Sequence, residues 1–318
     1  MLMLRKIVFF LFVFVGLSLF AQQDYMVSSY VRGNFYNRGR ISTESLRASD
    51  DLIFLNPNKD GSLSFENPRV FQGKGVTTWE GLIKSVRAKV KGTKVKIRLG
   101  ASSGEWKAMV ADEAARTTFA KNIKTVLEKN KLDGIDLDFE WAENEKEYKD
   151  YSLAILKMRE VLGDKYLFSV SLHPVCYKIS KKAIEAVDFI SLQCYGPSPV
   201  RFPIEKYCSD IQMVLEYGIP KEKLVAGVPF YGVTKDNSKK TEAYFNFVQD
   251  GLITSPSQNE VIYQGDTYVF DGQDNIRIKT RYAKEQKLKG MMSWDLATDL
   301  PLNDSKSLLK TMTEELRK

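Results

Sequence analysis

The residue types best suited to chemistry gather in one short segment, Asp133-Gly134-Ile135-Asp136-Leu137-Asp138-Phe139-Glu140-Trp141. Asp136, Asp138 and Glu140 alternate there with Ile135, Leu137 and Phe139. A period of two puts the three carboxylates on one face of a strand and the three apolar side chains on the other, whereas a helix would turn Asp138 away from its neighbours. Acids about 6–7 Å apart along a strand repel one another, so they must share protons or find cations, and their pKa values separate. A carboxyl that keeps its proton near neutral pH is suited to general acid catalysis. The competing readings are a divalent-cation site and a solvated acidic edge. Only this one strand supplies clear carboxylates, and the segment lacks the glycine-punctuated loop of an EF-hand.

Such a row needs a scaffold, and strand-like runs recur along the chain: MVSSYV, DLIFLN, VKIRLG, GIDLDFE, LFSVSLH, FISLQCY, LVAGVPF and GMMSWDL. Helical patterns lie between them, with Phe119, Ile123, Val126 and Leu127 on one face and Tyr148, Tyr151, Ile155, Met158 and Leu162 on another. Strands alternating with helices predict an α/β fold, a (β/α)8 TIM barrel. In that barrel Ile135, Leu137 and Phe139 pack outward against helices and the carboxylates point inward, with Glu140 nearest the C-terminal rim where active sites form. The interval between the seventh and eighth runs is roughly 60 residues, longer than a strand-to-helix connection needs, and predicts an inserted subdomain at about residues 232–280. Within it, VIYQGDTYVF reads as a hairpin around Gly265 and Asp266.

At 318 residues and 43% hydrophobic content the chain can bury a large core. Arg5 and Lys6 precede the apolar run Ile7–Phe20, and Ala21 offers a small residue for cleavage, so residues 1–21 read as a secretory signal. The 14-residue run is short beside the roughly 20 residues a bilayer span requires, so no stable membrane insertion is expected once the signal is removed, and the mature chain would start near Gln22. The formal charge of +7 is spread over separate lysines, which argues against nucleic-acid binding. Cys176, Cys194 and Cys208 have no metal-ligand spacing and could form one bridge at most; with His173 as the single histidine, neither a metal site nor a cofactor is expected.

The segment DGIDLDFE resembles the DGxDxDxE signature of glycoside hydrolase family 18, the chitinases and related endo-β-N-acetylglucosaminidases. VADEAARTTFAKNI, LVAGVPFYG and KTRYAKEQKLKGMMSWDLATD are also similar to that family's patterns. A retaining glycosidase with its own nucleophile needs carboxylates flanking the sugar from opposite sides, and family 18 is among the substrate-assisted exceptions. The resemblance implies that the substrate's 2-acetamido carbonyl is the nucleophile. It assigns Glu140 as the acid that protonates the glycosidic oxygen and then activates water, and Asp138 as the group that orients the acetamido group. Asp136 would trade a proton with Asp138, Tyr195 would donate to the acetamido oxygen, and Trp294 would form the floor under the sugar. Tyr231 and Gln193 are candidate substrate-binding residues.

Two departures stand out. Many family members carry MxYD on the sixth strand, where this chain has Gln193-Cys194-Tyr195-Gly196. On the third strand, where the family usually has SxGG, it reads Arg98-Leu99-Gly100-Ala101. Arg98 should point inward, pair with Asp136 and keep it ionised; it is counted among the substrate-binding candidates. His173 should border the cleft without a catalytic role. The expectation is a secreted or periplasmic, monomeric hydrolase of N-acetylglucosamine-containing oligo- or polysaccharides, chitin oligomers first. The alternatives are an endo-β-N-acetylglucosaminidase acting on N-glycan cores and a catalytically silent, sugar-binding chitinase-like protein.

Overall fold

A computed structural model of the protein describes residues 24–58, 75–196, 202–236 and 239–318. The expected signal segment, residues 1–21, lies outside the described residues. In chain order the strands are β1 (Met26–Arg32), β2 (Asp51–Asn58), β3 (Lys96–Ser103), β4 (Gly134–Asp138), β5 (Leu167–Leu172), β6 (Phe189–Leu192) and β7 (Leu224–Pro229). They are followed by β8 (Tyr231–Thr234), β9 (Thr241–Ala243), β10 (Glu260–Tyr263), β11 (Asp266–Val269) and β12 (Gly290–Trp294). A closed barrel forms in the order β1-β12-β7-β6-β5-β4-β3-β2, and its strand pairs are parallel. All eight runs expected to be barrel strands take that place. Among the described residues no helix is long and apolar enough to cross a membrane.

The outer helices start where polar caps allow it. Asp112 accepts a hydrogen bond from the Ala115 amide at the head of Glu113–Asn130, and Asn144 accepts one from the Glu147 amide at the head of Glu145–Leu162. Each satisfies one of the amide donors that a helix N-terminus leaves open. Phe119, Ile123, Val126 and Leu127 on the first of these helices, and Tyr151, Ile155, Met158 and Leu162 on the second, are buried; Tyr148 is half-buried. Ile135, Leu137 and Phe139 pack beneath them. Phe139 stacks on Trp106 with ring centroids 5.5 Å apart and also meets Tyr151 and Phe119. Full burial of such a side chain stabilises by about 1.5–3 kcal/mol, so the aromatic cluster fixes which face of β4 looks outward. Gly134 opens that strand because a Cβ there would stand 1.9 Å from the Leu167 carbonyl oxygen.

The small second sheet, in the order β10-β11-β8-β9, is antiparallel and forms the inserted subdomain. In its hairpin Tyr263 pairs with Asp266, so Gln264 and Gly265 make the turn and Asp266 already belongs to the strand. Both turn residues have positive φ, 50° and 87°, the backbone of a two-residue hairpin loop. All three cysteines are free thiols, with Cys176 and Cys194 buried.

Candidate active site

β4 ends its ladder at Asp138, and Glu140 stands two residues further on, at the C-terminal rim of the barrel. The three acids therefore occupy three depths: Asp136 is fully buried, Asp138 nearly so, and Glu140 is exposed. Asp138 and Glu140 line a cavity of about 240 Å³ with Trp141, His173, Gln193, Tyr195, Gly196, Tyr231 and Trp294. Asp136 lies beneath it.

One amide ties the two outer acids together. Gln193 Nε2 donates to Asp138 Oδ1 at 2.9 Å and to Glu140 Oε1 at 3.2 Å. Gln193 can do this because it follows β6 directly, with its backbone amide bonded to the Leu172 carbonyl at 2.9 Å. The backbone of Glu140 is held from outside the barrel, where Trp106 Nε1 donates to its carbonyl oxygen at 3.3 Å. Non-proline cis peptide bonds follow both Glu140 and Trp294.

Asp136 is held differently. Ser169 donates to Oδ1 in a short hydrogen bond, and the Tyr30 hydroxyl donates to Oδ2 at 2.6 Å while lying 2.5 Å from Ser171 Oγ. Burial raises the Asp136 pKa, opposed by the Arg98 charge and by the Ser169 and Tyr30 hydrogen bonds. Asp138 is pushed well above the usual carboxylate range by burial first, then by the charges of Glu140 and Asp136; Gln193 pulls the other way. Glu140 is also raised, by the desolvation of its carboxyl in the cleft, against the same pull from Gln193. A proton is therefore retained by the outer pair at a pH where isolated carboxyls would have lost it. Tyr195 is buried, and its phenol is kept protonated first by burial, then by Tyr231, Asp138 and Glu140. Its hydroxyl lies 3.9 Å from Met292 Sδ. Trp294 packs edge-on against Tyr30 at 5.2 Å and closes the side of the cleft opposite the acids' own strand.

The expected direct pairing of Arg98 with Asp136, and its place among substrate-binding residues, are corrected by the strand register. Arg98 lies opposite Gly134, and Gly100 lies opposite Asp136, so Arg98 stands one pleat too deep to reach the acid. It is fully buried and pairs with Asp51, Nε to Oδ1 at 2.6 Å and Nη2 to Oδ2 at 2.5 Å. Its contact with Asp136 runs through Ser169, whose hydroxyl accepts from Nη1 at 2.7 Å. Its charge lowers the Asp136 pKa, yet burial outweighs it. His173 borders the cavity as expected, packed edge-on to Trp141 at 5.2 Å.

Tyr30, Asp51, Ser169 and Ser171 were not among the sequence candidates. They carried one usable signal: each brings a polar group to an inward position of a barrel strand, where such a group needs a partner. Trp106 and Trp141 carried none, because their contacts depend on how the loops return to the rim.

A family model described as glycosyl hydrolases family 18 matches residues 22–299. The chain belongs to this family. Among curated members, "Probable chitinase 2" of Drosophila melanogaster is 23% identical over 65% of this chain and 56% of its own length. The chain spans about half the length of the first curated relatives it matches. Of solved family 18 structures, the chitinase ChiB from the chitin utilization locus of Flavobacterium johnsoniae is 24% identical, covers 92% of this chain and 94% of its own, and superposes with a TM-score of 0.74. A Cycas revoluta chitinase, solved in complex with (GlcNAc)3, is 17% identical, covers 91% and 99%, and has a TM-score of 0.70. These likenesses show the family 18 barrel.

Proposed function

We propose that this family 18 protein is a glycosidase that cleaves β-1,4 linkages on the reducing side of N-acetylglucosamine residues, with retention of configuration, using the substrate's acetamido group as nucleophile. One observation carries the reading: both cleft-lining carboxylates, Asp138 and Glu140, rise from a single strand end and share one amide donor, and the other described lining residues include no carboxylate. An enzyme-borne nucleophile would have to sit across the sugar from the acid. Tyr195, Tyr231 and Trp294 are the other large side chains lining that cavity, which supports a nucleophile carried by the substrate.

In this reading Glu140, its pKa raised, protonates the glycosidic oxygen and in the second step takes a proton from water. Asp138 faces the acetamido nitrogen, holding the group for attack on the anomeric carbon and stabilising the positive charge that develops there; Asp136 accepts the proton that Asp138 must release. Tyr195 donates to the acetamido oxygen, and Trp294 supports the sugar face. Fixing the acetamido group against the reacting carbon replaces an encounter in solution with an intramolecular step. Chitin oligomers are the proposed substrates, in keeping with the chitinases among the relatives. The segment ending at Ala21 would direct the chain to a secreted or periplasmic location, where the enzyme would act as a monomer.

The test is product analysis on chitin oligomers and on a high-mannose glycoprotein, with Glu140→Gln as control. Chitin-oligomer cleavage that the substitution abolishes supports the proposal. Cleavage of the glycoprotein alone would move the substrate to N-glycan cores. Sugar binding without cleavage of either would make the chain a lectin.

A further inference from the structure

The barrel interior beneath the acids holds a buried cation that the proposed chemistry does not itself use. Arg98 is fully buried, as is its partner Asp51, and Ser28 adds a hydrogen bond to Asp51 at 2.8 Å. A pair this well enclosed is retained by a fold at little net gain in stability, because desolvating two charges offsets most of their attraction. Its geometry toward Asp136 is directional, however. Nε and Nη2 are committed to Asp51, and Nη1 donates to the Ile135 carbonyl at 2.8 Å and to Ser169 Oγ at 2.7 Å. A guanidinium has no acceptor. Ser169 therefore accepts from Arg98, and its single proton is left for Asp136 Oδ1. On the other side of the carboxylate, Tyr30 and Ser171 can exchange donor and acceptor roles, so that side tolerates a proton on Asp136. The Ser169 side is set by Arg98.

We propose that Arg98, anchored by Asp51, is a positioning residue that acts through Ser169 to keep Asp136 the charged member of the Asp136–Asp138 pair. The groups facing Asp136 are Tyr30 from β1, Asp51 from β2, Arg98 from β3, Asp138 on its own strand, and the hydroxyls of Ser169 and Ser171 from β5. Arg98 is the one cation among them; Asp51 opposes its charge at Asp136 while fixing its direction. Through the serine the cation delivers an oriented hydroxyl to one oxygen without itself entering the cleft. The charge thus held on Asp136 favours the protonated form of Asp138, above it. This inference rests on the glycosidase reading, in which Asp136 must stay able to take the proton of Asp138. When Asp136 is protonated beforehand, the pair has no free base and the reaction stops, which makes Asp136 the group behind the acid limb of the pH profile.

The experiment is Ser169→Ala, which removes the relayed hydroxyl and leaves the Arg98–Asp51 pair intact. Two measurements are made on parent and variant: the pH dependence of kcat/KM on a chitooligosaccharide, and the carboxyl titration of Asp136 by carbon-13 NMR, assigned with Asp136→Asn. Losing a hydrogen bond to a charged carboxylate raises its pKa by about one unit. The expected result is an acid limb displaced upward by about one pH unit, the basic limb in place, and the same displacement in the Asp136 titration. A uniform loss of rate with both limbs unmoved would give Ser169 a merely structural role and overturn the proposal, as would an unshifted Asp136 titration. If the parent hydrolyses nothing, the glycosidase reading falls, and the carboxyl titration still decides whether Ser169 relays to Asp136. The same titration on Arg98→Met with Asp51→Leu, which should also raise the Asp136 pKa, decides the role of Arg98, and an unshifted Asp136 there would overturn it.

Discussion

Replacing Gln193 with methionine tests whether one amide governs both outer acids. The substitution keeps an unbranched chain of similar length, removes the donor, and installs the residue many family members carry there. In the parent, the amide nitrogen donates at 2.9 Å to Asp138 and at 3.2 Å to Glu140. Hydrogen bonds to charged groups contribute roughly 1.5–3 kcal/mol. The longer contact, at the open mouth of the cleft, belongs below that range at about 1 kcal/mol, or about 0.7 of a pKa unit. The shorter, buried contact to Asp138 corresponds to about 2 kcal/mol, or roughly 1.5 units. Both bonds favour the ionised acid, so both pKa values rise when the donor is lost. Glu140 works as an acid while protonated, and the basic limb of kcat/KM, which reports the free enzyme, should move to higher pH by about 0.7 unit. At the optimum the rate should fall by about tenfold, since the acid and the acetamido-orienting group lose their common anchor. The assay is hydrolysis of a chitooligosaccharide across pH 4 to 9. A basic limb that stays in place or moves to lower pH would refute the reasoning.

Other consequences follow from the buried and half-buried charges. Arg98→Met alone should cost about 3–5 kcal/mol in urea denaturation, because it strands Asp51 in the barrel, and adding Asp51→Leu should recover most of that loss. Glu315, bonded to Arg281 and Lys318, has its carboxyl lowered to about 2. Its stabilisation is therefore complete above the ordinary carboxylate range and disappears as pH falls through about 2. Both cations are more than half exposed, so Glu315→Gln should lower stability by only about 1 kcal/mol at pH 7, with parent and variant converging toward pH 2. Trp294→Ala removes the aromatic wall of the cleft and should weaken chitooligosaccharide binding on the order of a hundredfold by calorimetry; unchanged affinity would remove Trp294 from the sugar site.

The barrel was legible in the sequence because parallel strands, covered on their outer face by helices, leave repeated apolar runs, and here helical patterns lay between them, with one break after the seventh. The depth gradient of the acids was legible as well, since parity along β4 follows from Ile135, Leu137 and Phe139 seeking the helices. What sequence could not supply was the relation between strands. Whether Arg98 meets Asp136 depends on register, and a shift of one pleat exchanges a direct ion pair for a relay through Ser169. The double hydrogen bond of Gln193 is of the same kind: its position was visible, while its reach to two acids of another strand required the closed barrel. The hairpin turn was misplaced by one residue because Gln264, not Asp266, takes the positive φ beside Gly265.

The central claim is that the nucleophile belongs to the substrate. Its most direct test is the anomeric form of the product first released from a chitooligosaccharide, followed by proton NMR before mutarotation. Attack by the acetamido oxygen and then by water inverts the anomeric carbon twice, so the β-anomer should appear first, and an otherwise identical oligomer lacking acetyl groups should remain intact. An initial α-anomer, or cleavage of the deacetylated oligomer at a comparable rate, would contradict it.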